Sequence, residues 1–129
     1  MTGIEEANIQ TVVAYVDAYN RKDIDGMMAC LADDVFFEHL NNGQIVKSLT
    51  GKPAFRQQAE QAAQLVRERK QVLLDRTVAD DVVSAKIDFT GTLAHDLPDG
   101  SKAGEVVQTA GHSVFVLHDC LIAKLTDIQ

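Results

Sequence analysis

The sequence has no tryptophan, and only two prolines and two cysteines stand among its 129 residues. Cys30 and Cys120 are far apart and outside any CxxC spacing. That excludes a disulfide scaffold and a thioredoxin-like pair, and the two read as small buried hydrophobic residues in a reducing compartment. No apolar run approaches the ~18 residues that a membrane helix needs. An excess of basic charge is also missing. Twelve Lys and Arg against nineteen Asp and Glu leave a net charge of −7. Neither a nucleic acid nor an anionic membrane is then the expected partner, because nothing stands ready to displace their counterions. The opening Met1-Thr2-Gly3-Ile4-Glu5-Glu6 has no basic or apolar signal region, which predicts a cytoplasmic location. GxGxxG, P-loop and GxSxG elements are absent. His39, His95, His112 and His118 show no HxH, HExxH or Cys/His spacing. Hence no metal and no cofactor are expected.

What is present is enough for one domain, residues 1–129. Hydrophobic residues make up 46% and charged residues 24%, a balance that supports a packed core. Thr2-Gly3-Ile4-Glu5 has the form of a capping box. Ile9, Val12, Val13, Val16 and Tyr19 recur at helical spacing, so a helix is expected over 3–21. Asp23 caps a short second helix with Ile24, Met27, Met28 and Leu31 on its apolar face, ending at Asp33-Asp34. Val35 to Leu40 reads as a strand, Asn41-Asn42-Gly43 as a turn, and Gln44 to Leu49 as the returning strand. A third helix opens at Thr50-Gly51-Lys52-Pro53 and buries Phe55, Ala59, Ala62 and Val66.

After Arg69 the period falls from 3.6 to 2. Val72, Leu74, Arg76 and Val78 alternate with Leu73, Asp75 and Thr77, up to a turn at Asp80-Asp81. On the next strand Val83, Ala85, Ile87, Phe89 and Leu93 share one face, and Ser84, Lys86, Asp88, Thr90 and Thr92 the other. Leu97 to Ser101 is a loop by its turn chemistry. A long strand from Glu105 to Leu117 turns at His118-Asp119 and returns over Cys120 to Ile128. His112 and Ser113 are neighbours on one strand and face opposite ways, so they form no local dyad. Three helices and a mostly antiparallel sheet define an α+β fold.

This ordered set resembles the NTF2-like superfamily, and within it the SnoaL-like and ketosteroid-isomerase-like proteins. The residues that carry the likeness are Tyr15 to Asn20, Asp23 to Met27, Leu31 to Val35, Gly51 to Arg56, Gly111 to Val116 and Ile122 to Asp127. Together they span nearly the whole chain. The resemblance implies a cone, with three N-terminal helices packed on a curved, mostly antiparallel sheet around an apolar pocket. It also implies candidate roles. Tyr15 matches the helix-one tyrosine that donates to an oxyanion; His39 stands at the position of the base; Gly111 stands where isomerase-like proteins keep a protonated acid. A second likeness is to limonene-epoxide-hydrolase-like members. Lys86-Ile87-Asp88 sits where they carry Arg-x-Asp, and Asp127 matches their carboxylate on the final strand.

The candidate catalytic residues are therefore Tyr15, His39, Asp88 and Asp127, and the candidate pocket residues Lys86, Phe37, Phe55, Gly111 and Ser113. Histidine suits proton transfer at neutral pH because its unperturbed pKa is about 6.5. Both faces of the long strand carrying Val106, Val114 and Val116 are apolar. Such a strand needs cover on both sides, which predicts a homodimer packed sheet to sheet. The expected function is acid–base catalysis on a small apolar molecule. The alternatives are a non-catalytic hydrophobic-ligand or assembly module, and an epoxide-hydrolase-like activity.

Overall fold

A computed structural model describes residues 1–129. The elements are α1 (Gly3–Asn20), α2 (Ile24–Ala29), β1 (Leu31–Asn41), β2 (Gln44–Thr50), α3 (Lys52–Leu65), β3 (Val66–Ala79), β4 (Val82–Leu93), β5 (Val106–His118) and β6 (Leu121–Ile128). The six strands make one sheet in the order β2-β1-β6-β5-β4-β3. Only β1 and β6 run parallel; every other neighbour pair is antiparallel. The helices cover one face of this curved sheet. The core between them contains Val12, Tyr15, Val16, Met27, Leu31, Val35, Phe55, Val83, Phe115, Ile122 and Leu125. The architecture has the α+β class that the sequence pattern predicts and the cone that the resemblance implies.

The capping box of α1 is formed. The Thr2 hydroxyl accepts from Glu5 N, and Thr2 N donates to Glu5 Oε1 at 2.9 Å. Both ends of α1 are tied to the β3–β4 hairpin. At the start, Asp80 N donates to Glu5 Oε2 at 3.1 Å, and the Asn8 amide donates to Asp80 O and Asp81 Oδ1. At the far end, Asn20 accepts from Gln71 N at 2.7 Å and donates to Gln71 O at 3.0 Å. The Asn20 side chain thus pairs with a strand backbone as another strand would, satisfying groups that would otherwise be orphaned.

Several boundaries differ from the sequence pattern for local reasons. The second helix stops at Ala29, and Leu31 begins β1 rather than completing a helical face. Asp33 and Asp34 lie exposed within that strand, at an irregularity between Leu31 and Phe36. The third helix ends at Leu65, because Val66 is already paired with Leu93 in the sheet. Arg67 to Lys70 are not poor helix formers, so tertiary pairing overrides propensity there. Asp75 sits at φ 50 in a bulge between Leu74 and Thr77. The bulge resets the alternation, so Leu73 and Val78 both pack on the core despite opposite parity. The β5–β6 turn falls one residue later than expected, on Asp119 (φ 50) and Cys120 (φ 61), which leaves Cys120 exposed rather than buried; Cys30 is half-buried, and both thiols are free.

Candidate functional site

Residues paired across neighbouring strands share a face. Ala85 of β4 pairs with Ser113 of β5, Ser113 with Asp127 of β6, and Asp127 with His39 of β1. This row crosses the concave face, beneath the helices. It ends a narrow apolar chamber of about 170 Å³ whose lining includes Tyr15, Phe37, Phe55, Phe115, Arg69 and Asp127. Beyond the row lies a wider, more polar vestibule of about 320 Å³, which His39, Gly111 and Gln129 help to line. Tyr19, Gln71, Ser113 and Asp127 belong to both spaces. Asp127 therefore stands at the seam between an apolar chamber and a wet mouth.

The chamber is shaped by edge-to-face aromatic packing. Tyr15 meets Phe55 at 6.3 Å and Phe115 at 6.2 Å between ring centroids, and Phe37 meets Phe55 at 5.8 Å. These contacts fix the rings and hold the space open. Burial pushes the Asp127 carboxyl up from the ordinary range; the Ser113 hydrogen bond and the His39 charge oppose it. Ser113 Oγ donates to Asp127 Oδ1 at 2.7 Å. Burial likewise holds the Tyr15 hydroxyl well above the usual phenol range, and the nearby Asp127 charge adds to this. Tyr15 is therefore a neutral hydroxyl that can donate a hydrogen bond.

His39 is half-buried at the mouth, where its Nε2 lies 3.0 Å from Gln129 Oε1. Gly111 lines the vestibule but offers no acid. A Cβ there would lie 2.5 Å from the Ile128 carbonyl oxygen, so the backbone approach itself excludes a side chain. Phe37, Phe55 and Ser113 line the chamber.

Lys86 and Asp88 do not join this site. The alternation that buries Ala85 and Ile87 turns both to the convex, exposed face. There Lys86 Nζ pairs with Asp75 Oδ2 at 3.4 Å, a contact with one partner 58% and the other 74% exposed. The combination of Asp88 with Asp127 needed for paired-carboxylate epoxide chemistry is thus split across two faces of the sheet.

Three site residues escaped the sequence pattern: Tyr19, Arg69 and Gln71. Arg69 lies in a charged run, Arg67-Glu68-Arg69-Lys70, whose other three members are exposed. Its own side chain turns inward. Nε donates to Tyr19 O at 2.8 Å, and the guanidinium stacks on the Tyr19 ring at 3.7 Å. Burial lowers its pKa, opposed by the neighbouring tyrosines, but arginine keeps its charge in proteins. No three metal-ligating side chains converge anywhere in the chain, and no helix is long and apolar enough to cross a membrane.

A curved sheet closed by helices around a one-ended chamber defines the class, an NTF2-like cone. Residues 12–125 match the SnoaL-like domain, and the chain belongs to that family. Among solved structures it is similar to a candidate polyketide cyclase from Xanthomonas campestris pv. campestris, at 26% identity and TM-score 0.83, covering 98% of this chain and 93% of that one. A candidate polyketide cyclase from Pseudomonas putida is similar at 26% identity and TM-score 0.71, covering 98% and 90%. An LEH-like epoxide hydrolase from M. tuberculosis shares the fold at 19% identity and TM-score 0.77, covering 96% and 83%. No curated protein matches the sequence.

Proposed function

We propose that this protein is an acid–base enzyme acting on a small apolar carbonyl compound, of the cyclase or isomerase kind. One observation carries the reading: a carboxyl group with an elevated pKa, Asp127, stands where an apolar chamber meets a polar mouth. A carboxyl poised in this way takes a proton from carbon as carboxylate and returns it as acid. Tyr15 supplies a neutral donor to the oxygen on which charge develops. His39 is the second proton carrier, at the mouth, where solvent and the carboxyl are both in reach. The likeness to candidate polyketide cyclases favours an aromatic or polyketide-like substrate. The epoxide-hydrolase alternative loses support with Asp88 on the opposite face. Dimerisation belongs to the same proposal. Val82 and Val116 pair on the convex face, with Val114 one row further, and an apolar stripe of this kind fits a second copy of the sheet.

The test is deuterium uptake at the α-carbon of aromatic β-diketones in D₂O, followed by NMR. The wild-type protein should accelerate exchange, and Asp127→Asn should lose about 100-fold or more of that rate. Exchange that is unaltered in Asp127→Asn would refute the assignment.

A further inference from the structure

We propose that Arg69 makes the inner chamber an anion site, which takes the carboxylate of an apolar substrate while the rest of that molecule extends past Asp127 into the vestibule. The inference rests on the acid–base reading of the same cavity and adds the class of substrate. Arg69 is 6% exposed, and it takes part in none of the ion pairs of the structure. A buried cation without an anion is costly, so its retention inside a cavity needs a reason.

Its contacts within the protein account for only part of its capacity. A guanidinium carries five N–H donors in a rigid fork. One of them, at Nε, meets Tyr19 O in the last turn of α1, where a cation is favoured by the helix dipole. An Nη group points toward Met27 Sδ at 4.0 Å, a weak acceptor. Capping the helix would not require burial, since arginine readily covers apolar surface while keeping its head in water. Here the head lines the chamber beside Gln58 and Gln71. Asp127 does not neutralise it, because that carboxyl is engaged by Ser113 and faces His39. The remaining fork suits the two oxygens of a carboxylate. The dimensions agree. A chamber of about 170 Å³ is close to the roughly 150 Å³ that encloses a benzene ring. One aromatic ring with its carboxylate at Arg69 fills it, and the vestibule receives the remainder of a longer substrate.

The experiment compares benzoate with benzamide, its uncharged analogue, by calorimetric titration near neutral pH, with the Arg69 Nε–H resonance followed by NMR. The wild-type protein should prefer benzoate by about tenfold or more, the yield of a charge-assisted hydrogen bond, and the Arg69 Nε–H signal should move. Arg69→Met should bind the two about equally. It should also fold, because it removes the cost of burying an unpaired cation while keeping an apolar chain of similar length in its place. Arg69→Lys should retain a smaller preference. Equal binding of benzoate and benzamide by the wild-type protein, no benzoate binding at millimolar concentration, or a preference that survives in Arg69→Met would each overturn the proposal. Asp127→Asn separates this inference from the one beneath it. If diketone exchange ignores Asp127 while benzoate preference follows Arg69, the acid–base reading falls and the anion site stands. If exchange follows Asp127 and the preference is missing, only the anion site falls.

Discussion

Replacing Asn20 by alanine probes how the chamber is held together. The Asn20 amide closes two hydrogen bonds with the Gln71 backbone, at 2.7 and 3.0 Å, both partly buried. Each such bond contributes about 1 kcal/mol net, and a buried group left without a partner costs about 1–3 kcal/mol. Water entering from the vestibule, which Gln71 also lines, relieves part of that penalty. Asn20→Ala should therefore destabilise the fold by about 2–3 kcal/mol. For a domain of this length that lowers Tm by about 8–12 °C. Urea unfolding followed by far-ultraviolet dichroism should show the midpoint fall with an unchanged slope, since the exposed area is the same. Hydrogen exchange should accelerate at the Gln71 amide. Asn20→Asp is the control: it keeps the acceptor for Gln71 N but sets a carboxylate against Gln71 O, so it should be at least as destabilising. A loss in Asn20→Ala of less than about 0.5 kcal/mol, with Gln71 still protected, would show that α1 is not anchored through this side chain.

Two further outcomes are expected. Burial raises the pKa of Asp127 above its unfolded value, so the folded protein holds this proton more tightly than the unfolded chain. The stability it contributes is complete below the unfolded pKa and is lost as pH rises through the folded one. Asp127→Asn should then melt higher than the wild-type protein at about pH 8 and without advantage at about pH 3; thermal scans across pH check it, and a constant difference contradicts it. For the dimer, Val116→Glu places a charge on the convex stripe and should give a monomer by light scattering, whereas a monomeric wild-type protein removes the proposal.

How much of this was legible in the sequence depended on whether a residue's surroundings were local. The α1 cap, the Asn42-Gly43 turn and the alternation of β4 are written in neighbouring residues, and they form as read. That same alternation already placed Lys86 and Asp88 opposite Ala85 and Ile87; the likeness to epoxide hydrolases argued for a pocket that their face does not border. Three features carry no such mark in the neighbouring residues. Val66 becomes a strand because Leu93 is across from it. Leu73 and Val78 share the core because of one left-handed residue, Asp75, in a sequence without glycine there. Arg69 is buried because the end of α1 supplies Tyr19 O and a ring to stack on. Nothing in the charged run around Arg69 distinguishes it from its solvated neighbours. Asp127 was found through its position on the last strand, and its altered acidity became visible only with Ser113 and the chamber beside it.

The position of β6 in the sheet has a consequence for how the protein is made. β1 and β2 form one hairpin early in the chain, and β3, β4 and β5 form a separate antiparallel group. Only β6, the last strand in sequence, touches both. The bond between Thr126 and Glu38 joins residues 88 positions apart. During synthesis the two strand groups, one carrying His39 and the other Arg69, emerge with no strand pairing between them and are bridged only by helix packing. Loop-closure entropy makes such distant pairing slow. The strand that completes the sheet is also the one that carries Asp127. Assembly of the fold and assembly of the site are thus the same late event, and a ribosome-bound chain lacking β6 would hold an open half-sheet edge on each side of the gap, with no carboxyl between them.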